Sequence, residues 1–365
     1  MEEKGKKGRM DYTLLLIVVL LVVIGLVILY STSAYNGQVK FHDSFYYLKK
    51  QAFATVLGIV LMLFVAGMDY HIWQRLAVFG YLAAVALSVA VMLFGREING
   101  SKRWLALGPF SFQPSEFAKV ALILFLADLV TKNVKTIGKM WTLCRIMFWI
   151  LPIVGLVGAS NLSTAIIILG IGVILIFVAS PKYAQFALMG IAGACFMGIF
   201  LALESYRLER LAIWRNPEKY EKGYQTLQGL YAIGSGGVFG VGIGNSVQKL
   251  GFVPEAQNDM IFSIICEELG LAGAGIIVFL FLLLIWRFFL IASGSRDLFG
   301  ALIATGAMAH MMIQVILNIA VVTNTIPNTG ITLPFVSYGG TSVVFLLGEM
   351  GMALAVSRRG KRESR

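Results

Sequence analysis

Long uninterrupted apolar runs, separated by short polar joints, dominate the chain. They fall near residues 12–32, 49–67, 74–94, 114–130, 146–160, 162–180, 184–203, 265–290, 298–322 and 341–357. A membrane-spanning helix needs about 20 apolar residues, so the pattern predicts an all-α, polytopic bundle of about ten transmembrane helices. The first run is too long for a signal-peptide core and no small-residue cleavage site follows it, so it is expected to remain as a helix. The stretch from 146 to 180 reads as two spans broken around Ser160-Asn161. An odd count would put the two chain ends on opposite sides.

Those ends are both basic. Lys4, Lys6, Lys7 and Arg9 precede the first run, and Arg358, Arg359, Lys361, Arg362 and Arg365 follow the last. Under the positive-inside rule both read as cytoplasmic anchors, as do the loop residues Lys132, Lys135, Lys139, Arg145, Lys182 and Arg296. The whole chain, 1–365, is then a single transmembrane domain of a cytoplasmic membrane.

Composition supports this frame. Hydrophobic residues make up 58% of the chain and charged residues 13%, about half the ~25% usual in soluble domains. The net charge of +11 sits at the ends and in loops, so it argues for a lipid bilayer as partner and not for nucleic acid. Cys144, Cys195 and Cys266 lie in or beside apolar runs at unrelated spacings, which is neither a disulfide framework nor a metal motif.

Three connections exceed ordinary bundle loops: 95–113, 204–264 and 323–340. All three fall on the outer side. In the first, Pro114, Ser115 and Glu116 open a helix with a carboxylate in its first turn. Glu116 and Lys119, three apart, share a face; an interfacial ion pair is the plain alternative to a functional one. Lys102, Arg103 and Trp104 precede them, and snorkelling anchors would look the same. The long loop carries Arg207, Arg210, Arg215, Lys219, Lys222 and Lys249 around a glycine-rich stretch that matches no nucleotide signature. The third loop is dense in hydroxyl and amide side chains at membrane depth. Such backbone is tolerated there only where it lines protein or water, so a polar cavity opening outward is expected.

Acidic residues gather where the long loop meets the next span: Glu255, Asp259, Glu267 and Glu268. Asp259 before an apolar run is a good candidate N-cap. On a helix starting there, Glu267 lies at the flank, nearer the cavity, and Glu268 points away. His310, Gln314 and Asn318 form a stripe at four-residue spacing, read as interhelical hydrogen bonding. Glu349 sits mid-span, where an ionisable group suggests function.

Three blocks carry a resemblance: "GSKRWLALGPFSFQPSEFAK", "GYQTLQGLYAIGSGGVFGVGIGNSVQKLGFVPEAQNDMIFSIICEELG" and "TGITLPFVSYGGTS". In order and spacing they resemble the signature blocks of the SEDS family, the RodA, FtsW and SpoVE proteins of bacterial elongation, division and sporulation. The resemblance implies a peptidoglycan glycosyltransferase that polymerises lipid II, the undecaprenyl-pyrophosphate-linked disaccharide, at the outer face of the membrane. It also implies a class B penicillin-binding protein as partner, and it places the catalytic aspartate on Asp259. Two departures stand out: Gln257-Asn258 precede Asp259 and Met260 follows it, and Asn161 replaces an aspartate usual in the family.

The chemistry agrees with one carboxylate. Pyrophosphate leaves well once neutralised, so the reaction, written as inverting, needs one general base and cations on the phosphates. Arg103, Lys119, Arg210 and Lys249 are the candidate substrate contacts, with Glu116, Glu255 and Glu267 in support. A divalent cation, Mg2+ or Mn2+, is expected from the reaction and the family. Two other classes stay open: a lipid II flippase, which Glu349 would favour, and a non-catalytic scaffold for a cell-wall synthase.

Overall fold

The computed structural model describes residues 10–98, 101–107, 110–187, 190 and 212–360. Its long helices are α1 (Tyr12–Phe41), α2 (Tyr46–Gly67), α3 (His71–Phe94), α4 (Pro114–Asn133), α5 (Met140–Ser160) and α6 (Leu162–Ala179), then α7 (Tyr224–Gly236), α8 (Ile261–Ser293), α9 (Leu298–Val322) and α10 (Gly340–Arg359). Eight of these are long and apolar enough to cross a membrane, so the chain is a multi-pass helical membrane protein. The predicted span 184–203 lies almost entirely outside the described residues.

The fourth predicted span, α4, carries Glu116, Lys119, Asp128 and Lys132 and is too charged to stand among those eight. It survives in the bundle because it does not face lipid. Nearly every side chain from Ala118 to Ala127 is buried, and α3, α5, α6, α9 and α10 all pack against it. The break at Ser160-Asn161 is present, and the side-chain oxygen of Asn161 accepts from Thr164 N–H at 3.2 Å to cap α6. An asparagine caps as well as an aspartate.

The start of α1 meets the end of α10. Asp11 N–H donates to Ser357 Oγ at 3.1 Å, and Arg287 reaches the Asp11 carboxylate at 2.5 Å. The start of α1, the lower half of α8 and the end of α10 are therefore at one end of the bundle. At about 45 Å, α1 outruns a hydrocarbon core of about 30 Å, and its last turns rise among the loops of the opposite end.

There the first long loop forms a small antiparallel sheet, β1 (Arg96–Ile98), β2 (Ser101–Leu107) and β3 (Phe110–Phe112), with Ile98 opposite Ser101 and Leu107 opposite Phe110. An all-helical reading missed it. The signal was Asn99-Gly100, a strong two-residue hairpin dipeptide.

The glycine-rich stretch has a specific task. Within α8, Gly270 has φ +67° and breaks the helix. The freed groups are taken up by residues 237–242: Leu271 and Ala272 N–H donate to the carbonyls of Gly237 and Val238, and Val241 and Gly242 N–H donate to those of Glu267 and Glu268, all at 2.9–3.0 Å. The ladder of α8 thus passes through the loop, as backbone at membrane depth requires.

Candidate active site

Asp259 lies in a run of turns, residues 251–260, just before α8. Val253, Ala256 and Met260 bury their side chains and root the segment. Polar bonds then hold it from three sides. Gln257 accepts at its side-chain oxygen from Asn36 Nδ2 of α1 (3.0 Å) and at its carbonyl from Tyr338 N–H (2.9 Å). The Asp259 carbonyl accepts from Asn318 Nδ2 of α9 at 2.8 Å.

The Asp259 carboxylate does not cap α8. The N-cap is Met260, with no side-chain cap bond, so the capping alternative falls. Its exposure is 9%. Oδ2 faces Gly330, where a Cβ would stand 3.8 Å away; Gly330 itself has φ +68°. Burial, with repulsion from Glu255 second among the raising effects, lifts the Asp259 pKa to about 6, although the N–H groups of Asp259 and Met260 pull it down. Such a carboxylate is ionised at neutral pH yet more basic than an exposed aspartate, which suits proton abstraction.

Glu116 and Lys119 pair as their spacing predicts. Nζ lies 2.9 Å from Oε1, and both side chains are almost fully buried. Ser342 Oγ donates to Glu116 Oε2 at 2.8 Å, and Lys119 Nζ reaches Gln314 Oε1 at 3.4 Å. Gln314 also meets His310 Nε2 at 2.8 Å and donates to the Thr332 carbonyl at 3.0 Å. His310 Nδ1 lies 2.8 Å from Glu349 Oε2. The α9 stripe therefore joins α4, α10 and the third loop, and Glu349 has an interhelical partner.

Other candidates fall elsewhere. Lys249, expected to reach phosphate, is buried with its ammonium 2.6 Å from Glu268 Oε1 and 3.0 Å from Ser31 Oγ. Burying a lone ammonium is costly, so the chain supplies a carboxylate. Glu268 thus points into protein, held also by Ser31 at 2.7 Å. Glu267 does not take the outward, cavity-side position expected of it either: it accepts from Ser246 Oγ and from Val247 N–H at 3.0 Å, fixing the turn that carries Lys249. A straight-helix projection could not see that loop. Arg103 donates from Nε to the Ser160 carbonyl at 3.1 Å, and with Ser115 and Asn161 it lines a small polar recess at the α5–α6 break. Glu255 sits at φ +52°, accepts from Asn258 Nδ2 and lies close enough to Asp259 to raise its pKa. Arg210 lies outside the described residues.

Among the described residues no group of three or more His, Cys, Asp or Glu side chains could hold a metal ion. Gln257 and Asn318, which the sequence marked only as a departure beside Asp259 and as part of the α9 stripe, hold the site together with Gly330; sequence reasoning gave none of the three a place in it.

Fold and site together define a polytopic helical membrane protein with a buried, basic carboxylate among the loops opposite the start of α1 and the end of α10. The family model FTSW_RODA_SPOVE, described as cell cycle protein, matches residues 12–362, and the chain belongs to that family. It is 40% identical over 366 residues to Stage V sporulation protein E of Bacillus subtilis (strain 168), covering 97% of this chain and 98% of that one. It is 34% identical over 361 residues to a probable peptidoglycan glycosyltransferase FtsW of Geobacter sp. (strain M18), covering 96% and 97%. Among solved structures, a chain from work on structural coordination of polymerization and crosslinking by a peptidoglycan synthase complex superposes with a TM-score of 0.83 at 29% identity, covering 97% and 99%. The rod shape determining protein RodA of Thermus thermophilus gives 0.72 at 27% identity, covering 97% and 98%.

Proposed function

We propose that the chain is a peptidoglycan glycosyltransferase that polymerises lipid II, with Asp259 as its general base. Asp259 takes the proton from the sugar hydroxyl of one chain as that oxygen attacks the anomeric carbon of the other. The anomeric C–O bond breaks with inversion, and undecaprenyl pyrophosphate leaves with the bonding pair. The single observation that carries this reading is the buried Asp259 carboxylate with its pKa near 6, in a family whose relatives include probable peptidoglycan glycosyltransferases.

Glu116 and Lys119 hold the wall of the site through Ser342 and Gln314. Arg103, at the α5–α6 break, is the described cation best retained as a phosphate contact. A Mg2+ or Mn2+ ion remains part of the proposal as an ion shared with the substrate, since magnesium is commonly bound by one or two carboxylates plus phosphate oxygens. Glu255 is the acidic side chain beside Asp259 that would contribute to it, and the ion would neutralise the leaving pyrophosphate. The positive-inside rule orients the site to the outer face, with both termini cytoplasmic. The superposition on the synthase-complex chain supports a class B penicillin-binding protein as partner.

The test uses purified protein in liposomes, with and without a matched transpeptidase, on labelled lipid II, scoring glycan length and lipid translocation separately. Asp259→Asn should bind lipid II and make almost no glycan, a loss of about 10²–10⁴-fold. Polymer at the wild-type rate from that variant would remove Asp259 as the base. Translocation without polymer from the wild type would favour a flippase.

A further inference from the structure

The third loop and the Asp259 segment come from chain regions about seventy residues apart, yet one side chain fastens both. Asn318 Nδ2 donates to the Asp259 carbonyl at 2.8 Å and to the Ile331 carbonyl at 2.7 Å. Both hydrogens of one planar carboxamide are thereby committed. Ile331 follows Gly330, the residue that the Asp259 carboxylate faces. One helical turn earlier on α9, Gln314 holds the next carbonyl, that of Thr332, at 3.0 Å.

Asn318 is fully buried, and its Oδ1 has no hydrogen-bond partner among the described residues. An orphaned acceptor at this depth is unfavourable. The carboxamide is therefore present for its donors, which go to the two segments that flank the carboxylate, and not to a second membrane helix.

We propose that Asn318 is a positioning residue for the reaction: it sets the separation between the Asp259 backbone and the Gly330 turn, and so the aim of the Asp259 carboxylate at the attacking hydroxyl. This rests on the reading of Asp259 as the general base. Asn318 touches no reacting atom and contributes nothing to holding lipid II. Its loss acts on turnover, because a misplacement of about 1 Å can cost about 10²-fold in rate.

The experiment compares Asn318→Ala and the isosteric Asn318→Asp, which keeps the shape and loses the paired donors, with wild type and Asp259→Asn. Initial rates are taken across lipid II concentrations in one reconstituted assay, alongside thermal midpoints. The expected result is a kcat reduced about 10- to 100-fold, with KM within about twofold of wild type, since the ground-state contacts to substrate are untouched. Combined with Asp259→Asn, either substitution should add no further loss to the residual rate, because residues acting as a unit are non-additive. A merely structural asparagine would instead lower the Asp259→Asn residual by the same factor, and that outcome overturns the proposal. So does wild-type kcat in both Asn318 variants, or a loss confined to KM. If Asn318→Ala does not survive purification, Asn318→Asp carries the comparison; failure of both to fold assigns Asn318 to the fold and overturns the proposal. Wild-type polymerisation by Asp259→Asn would sink the base assignment and this inference together. A dead Asp259→Asn beside fully active Asn318 variants would sink the inference alone.

Discussion

The Lys249 ammonium lies 2.6 Å from Glu268 Oε1, in a pocket closed by Ser31 of α1. A residue that looked like a phosphate ligand is a buried tie between the long loop, α8 and α1. Removing one partner leaves the other charge uncompensated, so Lys249→Ala should cost about 3–5 kcal/mol of stability. The double replacement Lys249→Met, Glu268→Leu should recover most of that. Thermal unfolding in detergent measures both; a Lys249→Ala variant of unchanged stability and raised lipid II KM would return the residue to substrate binding.

Glu116 and Lys119 make the same kind of pair, but its surroundings differ. Their other bonds go to Ser342, in the first turn of α10, and to Gln314, which holds the Thr332 carbonyl of the third loop. Glu116→Ala and Lys119→Ala should each collapse polymerisation and cost about 3–5 kcal/mol. Glycan synthesis close to wild type in both variants would leave the pair as an ordinary anchor.

Asp259 links rate and stability to pH with opposite signs. As the proposed base, with a pKa near 6, it should give a rate that rises with pH through about 6 and then levels. The folded pKa lies above the unfolded one, so its stabilising contribution is complete below the ordinary aspartate range and is lost as pH rises through 6. Holding the ionised form at pH 8 then costs on the order of 3 kcal/mol. Asp259→Asn should therefore raise the thermal midpoint at pH 8 and leave it nearly unchanged at pH 4. Equal effects at the two pH values would contradict the raised pKa.

Gly270 is irreplaceable for two reasons. Its φ of +67° strains any other residue, and an added Cβ would collide with the backbone of Val238 and Gly240. Gly270→Ala should cost at least about 2–3 kcal/mol and abolish activity. Gly275 lies in the helical part of α8 with open space around its missing side chain, so Gly275→Ala should be neutral or stabilise by up to about 1 kcal/mol. Similar losses in both would assign the effect to the helix in general.

Orientation is tested by single cysteines in a variant lacking Cys144, Cys195 and Cys266. Positions 245 and 135 are both exposed. An impermeant maleimide on intact cells should label Asn245→Cys and spare Lys135→Cys; the reverse pattern would invert the topology.

Much of this architecture was legible because lipid imposes a coarse rule. Apolar run length located most described helix boundaries to within about a turn, but missed the last turns of α1 and the first of α5 and did not mark α7, which lies in a loop; the basic ends placed the start of α1 and the end of α10 together, where Asp11 meets Ser357 and Arg287. The i, i+3 spacing of Glu116 and Lys119 was sufficient to pair them. What stayed hidden depended on contacts between distant segments. Nothing local marks Glu268 as the partner of Lys249 or Asn318 as the holder of Asp259. A straight-helix projection from 259 also fails at Gly270, where α8 ends and restarts.

The Gly270 break bears on the order in which the protein comes together. From Leu271 to Ser293, α8 is about 35 Å long, enough to enter the bilayer as soon as it leaves the ribosome. The preceding turn, with Asp259, has only one of its three polar fastenings available at that moment, Asn36 of α1, since the other two are Asn318 of α9 and Tyr338 ahead of α10. Those residues are synthesised last. The Asp259 carboxylate therefore takes its final setting only after the closing spans are in place, so chains truncated before α9 should enter the membrane without that setting.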